Sequence, residues 1–317
     1  MTLPAIFSTL RLPVVGAPLF IVSNPDLVIA QCTAGIVGSF PALNARPQAQ
    51  LDEWLHEISE ALAAWDRDNP DIPAAPFAVN QIVHRSNDRL DADLATCAKW
   101  KVPITITSLG AREDLNTAVR AWGGITLHDI IDDRFARKAI DKGADGLIAV
   151  AAGAGGHAGT WSPFALVQEI RQWFDGPLCL SGAIANGGAV LAAQAMGADL
   201  AYIGSPFIAT AEARASDDYK QGIVDGRAGD IVNSNLFTGV YGNYLRSSIV
   251  ASGLDPDNLP KAGPEAMNFE SSSGSKAWRD IWGSGQGIGA IDAVLPAGAM
   301  IKRLQVEYQA ARARLAI

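Results

Sequence analysis

One imidazole, His157, stands in the run Gly153-Ala154-Gly155-Gly156-His157-Ala158-Gly159, directly after the apolar stretch 146–152. Small residues on every side let backbone approach a flat ligand closely and leave the imidazole as the ionisable group of that stretch. With an unperturbed pKa near 6.5, a neutral imidazole beside a substrate α-carbon can act as a general base. A lone histidine is more often a hydrogen-bonded structural residue, but here the glycines and the two loops described next favour chemistry. His84 and His128 also lie near the ends of apolar runs, whereas His56 falls in an amphipathic helical pattern and reads as surface.

The two loops are Ser181-Gly182-Ala183-Ile184-Ala185-Asn186-Gly187-Gly188 and Tyr202-Ile203-Gly204-Ser205-Pro206. Each passes from an apolar run into a helix start with glycine in the turn, a pattern in which backbone N–H groups and the positive helix end hold a phosphate without a lysine. Either alone is equally a tight turn; together they point to a phosphorylated cofactor. Gly153-x-Gly155-x-x-Ala158 also fits the dinucleotide fingerprint, which needs a helix to begin inside the motif. Here Thr160-Trp161-Ser162-Pro163 intervenes, and Ser162-Pro163 is the better helix start.

These residues need elements to position them. Apolar, β-branched runs at 14–19, 36–40, 77–83, 104–109, 124–128, 147–152, 178–183 and 201–205 are continuous rather than alternating, as expected of a parallel sheet covered on both faces. Between them lie helical patterns at 48–65, 86–98, 111–121, 132–142, 163–174 and 186–196, with another opened by Asn24-Pro25-Asp26 as cap, N1 proline and first-turn acid. Ser86-Asn87-Asp88 offers caps for the helix at 86–98. Lys142-Gly143-Ala144-Asp145 and Met196-Gly197-Ala198-Asp199 repeat one helix-to-strand turn. Eight strand–helix units predict an α/β fold of the (β/α)8 TIM barrel class, with a doubly wound open sheet as the competing arrangement.

In a barrel the site is assembled at the C-terminal strand ends. That rule gathers Asn80 and Gln81, Thr107, Ser108 and Gly110, His128 and Asp129, His157, Ser181 and Gly182, and Gly204 and Ser205 at one mouth. After residue 210 the pattern loosens into polar, Gly/Asn/Ser-rich segments with helical stretches at 212–225 and 243–252. Residues 1–210 and 276–317 are therefore read as the barrel with a C-terminal helix at 297–315. Residues 211–275 are read as an inserted, mainly helical segment after strand eight, packed over the mouth. Trp278 and Trp282, at i and i+4, fit a helix packed on the barrel, and the Gly283-Ser284-Gly285-Gln286-Gly287 loop that follows could lie close to a ligand.

The chain of 317 residues is 49% hydrophobic and 18% charged with a net charge of −8, which argues against a nucleic-acid binder with its basic face. No apolar stretch is long enough to span a membrane, and the N-terminus lacks a signal-peptide pattern, so the expected location is cytoplasmic. Cys32, Cys97 and Cys179 are scattered and suggest buried thiols, with neither disulfides nor a metal site.

The sequence resembles the nitronate monooxygenases, formerly called 2-nitropropane dioxygenases. The resemblance rests on Gly16-Ala17-Pro18-Leu19, Phe77-Ala78-Val79-Asn80, Gly143-Ala144-Asp145-Gly146, Ala154 to Gly159, Ser181-Gly182-Ala183-Ile184, Gly197-Ala198-Asp199 with Gly204-Ser205, and Trp282-Gly283-Ser284-Gly285-Gln286. It runs from near the N-terminus to about residue 292. It implies an FMN-dependent TIM barrel in which Ala17, Pro18 and Leu19 lie against the isoalloxazine and Asn80 bonds within the flavin site. Gly155 and Gly156 would border the cofactor, Ser181, Gly182, Ala183, Gly204 and Ser205 would hold its phosphate, and Gln286 would lie near the flavin. His157 would be the catalytic residue, positioning a nitronate or taking the α-proton of a nitroalkane. The partners would be that small molecule and O2, the products a carbonyl compound and nitrite, and the assembly admitted a homodimer.

Two departures stand out. Many relatives carry a lysine just after strand five, where this chain reads Leu127-His128-Asp129, so His128 is the candidate to replace that charge. The segment 238–244 also differs from the better-studied members, so substrate identity does not carry over. The runner-up is an FMN-dependent NAD(P)H reductase of the quinone or enoyl-ACP type on the same barrel. A flavin-free lyase or isomerase using His157 is a third reading.

Overall fold

The computed structural model describes residues 3–262 and 279–316. Eight parallel strands form the central sheet: β1 (Val14–Gly16), β2 (Gly38–Pro41), β3 (Phe77–Ile82), β4 (Ile104–Ser108), β5 (Ile125–Ile130), β6 (Gly146–Val150), β8 (Leu178–Ser181) and β9 (Leu200–Ile203). β7 (Gly156–His157) lies outside that sheet. The strand order is β1-β9-β8-β6-β5-β4-β3-β2. Val37 closes the circle, its N–H donating to Val14 O at 3.1 Å and its carbonyl accepting from Gly16 N at 2.8 Å. This is the TIM barrel, not the open sheet.

The strands are uniformly apolar because both faces are covered. Val15, Ala78, Ile104, Ile106, Leu127, Ile148, Cys179 and Leu200 fill the barrel interior together with Phe7 from the N-terminal segment. The alternate residues pack outward on the helices, as Val79 does with Leu51, Trp54 and Leu55 of α2 (Gln50–Asp68).

The remaining barrel helices are α1 (Pro25–Thr33), α3 (Leu90–Lys99), α4 (Glu113–Ala121), α5 (Asp133–Asp141), α6 (Pro163–Arg171), α7 (Gly187–Ala195) and the short α8 (Ser205–Ile208). Side-chain caps open α1, α5 and α7: Asn24 Oδ1 accepts from Leu27 N, Asp132 Oδ1 from Phe135 N and Asn186 Oδ1 from Ala189 N. The expected start of α3 is corrected. Residues 84–88 form a turn in which His84 Nδ1 lies 2.8 Å from Ser86 Oγ and Asn87 Nδ2 donates to Ile82 O, so Ser86-Asn87-Asp88 are not caps and the helix begins at Leu90.

Beyond the barrel come α9 (Asp217–Asp225), β10 (Ile231–Ser234), β11 (Gly242–Leu245) and α10 (Arg246–Ala251). The helical pattern at 243–252 therefore begins as a strand. β10 and β11 are antiparallel, and β11 also pairs with β7, setting Gly242 opposite His157. The final helix, α11 (Ala297–Leu315), packs against α7 and α1. Trp282 stacks on Tyr219 with ring centroids 5.0 Å apart, while its expected partner Trp278 lies outside the described residues. All three cysteines are buried free thiols, and no described helix is long and apolar enough to cross a membrane.

Candidate active site

A cavity of about 580 Å3 opens at the C-terminal ends of the strands. The candidate site residues named above border it except Gln81 and Thr107, which are buried outside its lining, and Gln286, which is exposed while its neighbours Gly285 and Gly287 do line it. Two-residue alternation sets the floor. One step beyond the interior layer of Ala78, Ile106, Leu127, Ile148, Cys179 and Leu200 come Asn80, Ser108, Asp129, Val150, Ser181 and Tyr202, and all six border the cavity.

The glycine run reaches the cavity because backbone packs on backbone. A Cβ at Gly155 would lie 2.7 Å from Gly285 N, so only glycine allows that approach. The loops are cross-tied: Gln286 N donates to Gly153 O at 2.9 Å, Asn243 Nδ2 to Ala154 O at 2.6 Å and Gly285 N to Ser205 Oγ at 2.9 Å. His157 is consequently held in β7 rather than in a free loop, with Nε2 2.9 Å from Thr238 Oγ1. Thr238 is a partner of the candidate histidine that sequence reasoning missed, and 81 positions separate the two. His157 keeps some exposed surface on the cavity side, yet the protein around it strips away enough water to push its pKa down to about 4, leaving a neutral ring at pH 7.

His128 faces away from the barrel axis, Nδ1 2.6 Å from Thr107 Oγ1, although part of it borders the cavity. Burial, with a smaller contribution from Lys138, brings it to about 4. A neutral His128 does not replace the lysine charge. The cations that border the cavity are instead Arg46 and Lys138 on α5, at positions where no motif announced them.

The floor carries a polar relay. Asn80 Nδ2 donates to Ser108 Oγ at 2.8 Å, and Ser108 Oγ donates to Asp129 Oδ2 at 2.6 Å. Asp129 Oδ1 is sealed from solvent with no hydrogen-bond partner among the described residues. Burial pushes this carboxyl up to about 7, against the smaller opposing pull of the Ser108 hydrogen bond.

The two loops expected to hold a phosphate differ in one respect from the expectation. The N-terminus of α7 is already satisfied: Gly187 N donates to Glu307 Oε2 at 2.8 Å and Asn186 caps Ala189 N. Residues 186–188 do not border the cavity, whereas 181–185 and 204–205 do. An anion at this end would meet the loops rather than the positive end of α7. Gly182, at φ +137°, is followed by Ala183 at φ +55°, a left-handed pair at the cavity edge that non-glycine residues seldom adopt.

The cavity suits a flat, phosphorylated heteroaromatic group. Its walls are bare backbone and small side chains at Ala17, Gly155, Gly156, Ala183 and Gly204, its floor is polar at Asn80, Ser108 and Asp129, and its volume is that of a cofactor pocket.

Comparison with known proteins agrees with this geometry. The family model described as nitronate monooxygenase matches residues 4–307. A nitronate monooxygenase of Paraburkholderia phytofirmans is 25% identical over 295 residues, covering 77% of this chain and 76% of its own. A protein of Rhodococcus jostii named (3aS,4S,5R,7aS)-5-hydroxy-7a-methyl-1-oxo-octahydro-1H-indene-4-carboxyl-CoA dehydrogenase is 25% identical, covering 83% of this chain and 72% of its own. Among solved structures, a nitroalkane oxidase of Streptomyces ansochromogenes shares the fold with TM-score 0.83 and 24% identity, covering 98% of this chain and 100% of its own.

Proposed function

The chain belongs to the nitronate monooxygenase family of flavin-dependent oxidoreductases, and from that premise we propose that it binds FMN in the barrel mouth and oxidises alkyl nitronates with O2 to a carbonyl compound and nitrite. The observation that carries this reading is the neutral His157, fixed by Thr238 at the edge of a cavity walled by bare backbone.

FMN, when bound, supplies the electron transfer from substrate towards O2, chemistry that no side chain of this site possesses. The protein's part is to hold and shield. Ala17, Pro18 and Leu19 after β1 give an apolar wall for the ring system, with Asn80 at the floor. Gly182, Gly204 and Ser205 would receive the phosphate, and Ala183, whose N–H already donates to Gly153 O at 3.2 Å, would border it. Since α7 spends its N-terminus on Glu307, loop amides and hydroxyls do this work.

His157 is better suited to positioning than to proton removal. A base serves best with a pKa near the working pH, and a ring held near 4 is a poor proton acceptor. Neutral, it can donate from Nδ1–H to a nitronate oxygen in the tautomer whose Nε2 accepts from the Thr238 hydroxyl. A preformed nitronate is therefore the preferred substrate over the neutral nitroalkane.

The test is His157→Asn. FMN content is expected to survive, because the loops hold the cofactor. Turnover of propyl nitronate is expected to fall by about 10²-fold or more, the scale of losing a positioning contact at a reacting centre. Wild-type turnover in a flavin-replete variant would remove His157 from the reaction.

A further inference from the structure

Asp129 is the carboxyl group that borders the cavity, and the chemistry above leaves it unused. Its place follows from the strand. Leu127 points into the barrel interior, so Asp129, two residues on, points the same way, towards the ligand. Its two oxygens are not equivalent. The lone pairs of Ser108 Oγ receive Asn80, so the Ser108 hydrogen goes to Asp129 Oδ2. Oδ1 remains sealed from solvent and without a partner among the described residues.

Among the described residues, the surroundings offer no charge to balance a carboxylate. Facing Asp129 from the neighbouring elements are Asn80 on β3, Ser108 on β4, Cys179 on β8 and Tyr202 on β9. Burial raises the pKa values of the thiol and the phenol, so both are neutral in the working range. On its own strand His128 is neutral and turned to Thr107, and across the cavity His157 is neutral as well. Arg46 and Lys138 border the same cavity, but neither is within ion-pair distance, and Ser108 is the sole group that favours the ionised form. A buried carboxylate without a counter-charge is costly, and holding a proton is the available relief.

We propose that Asp129 sets the charge selectivity of the site: as a neutral carboxylic acid it leaves the cavity floor uncharged and admits an anionic ligand, and as a carboxylate it excludes that ligand. With Oδ2 already accepting from Ser108, the proton belongs on Oδ1, which is sealed within the protein. The nitronate as the anion rests on the function proposed above; the protonation state of Asp129 does not. The upward push on this carboxyl, to about 7, places the changeover near neutrality.

The protonated acid is read by infrared spectroscopy of the purified protein, which needs no flavin. A carboxylic-acid carbonyl stretch is expected at about pH 6 in the wild type, lost by about pH 8.5 and absent from Asp129→Asn at both. Ligand exclusion is read with propionate, an unreactive planar anion, by calorimetric titration of the FMN-loaded protein. Its Kd should rise about tenfold per pH unit above the changeover, the slope of one linked proton, and should stay flat across the same range in Asp129→Asn. Should that variant fail to fold, Ser108→Ala, which removes the hydrogen bond favouring the carboxylate, should move both changes to higher pH. No carbonyl band in the wild type, or a propionate Kd indifferent to pH while Asp129 titrates, overturns the proposal. Failure to bind FMN with the band intact overturns the proposed function and leaves the protonated Asp129 standing; nitronate turnover with no band does the reverse.

Discussion

Asp129→Asn should make the protein more stable, by an amount that depends on pH. In the unfolded chain the carboxyl has its ordinary value of 3.8, and in the fold burial lifts it to about 7. Between those values the folded state keeps a proton that the unfolded state releases. Stability must therefore fall as pH rises through this window and level off above it. About three pH units at ~1.4 kcal/mol each amount to ~4 kcal/mol, a large part of the ~5–15 kcal/mol that holds a typical domain together. Asparagine preserves the shape and can still accept from Ser108, but it has no charge to bury. Urea unfolding of wild type and variant, run side by side from about pH 4 to about pH 8.5, cancels the groups common to both. The difference between the two stabilities should grow by a few kcal/mol in favour of Asn up to about pH 7 and then stay constant. Parallel curves would refute the reasoning, because they would mean that Asp129 ionises in the ordinary carboxylate range despite its surroundings.

Other consequences concern the histidines and the loops. Burial holds His128 at about 4, below its ordinary 6.5, so the fold resists its protonation and stability is lost as pH falls from about 6.5 to about 4. About 3 kcal/mol should go over that interval, and His128→Gln should flatten the acid limb of a denaturant-midpoint profile. Gly182 combines φ +137° with a Cβ position 2.7 Å from the Ala152 carbonyl oxygen, so any side chain forces the loop to move. Gly182→Val should weaken FMN binding at least about tenfold, the effect of ~1.4 kcal/mol of misplaced contacts, while far-ultraviolet circular dichroism stays native. Undiminished affinity in a fluorescence-quenching titration would show that the phosphate is held elsewhere.

The barrel was legible because its strands are buried on both faces. An uninterrupted run such as Gly146–Val150 leaves little else to be, and the helix boundaries came out closest where an Asx side chain could cap, as at Asn24 and Asn186. The start of α3 misled because Ser86 and Asn87 serve a turn with His84 as readily as they would a helix. In the site, the strand-end rule gathered Asn80, Ser108, His157 and the two loops without any tertiary information. It could not weigh one strand-end residue against the next. His128 and Asp129 are neighbours, yet alternation turns one to Thr107 and the other to the ligand. β10 and β11 escaped notice because they are short and rich in asparagine, so the Thr238 contact with His157 had no local signal. Glu307, 120 positions from the helix it caps, was equally invisible.

The central claim is an FMN enzyme that oxidises nitronates rather than one that accepts hydride from a nicotinamide. An anaerobic visible spectrum of the purified, FMN-loaded protein, titrated first with NADH and NADPH and then with propyl nitronate before air is admitted, tests it directly. The expected result is a flavin spectrum that ignores both nicotinamides, responds to the nitronate, and yields nitrite once oxygen enters. Rapid bleaching by NADH or NADPH, with no nitrite formed from the nitronate, would contradict the account and identify a reductase built on the same barrel.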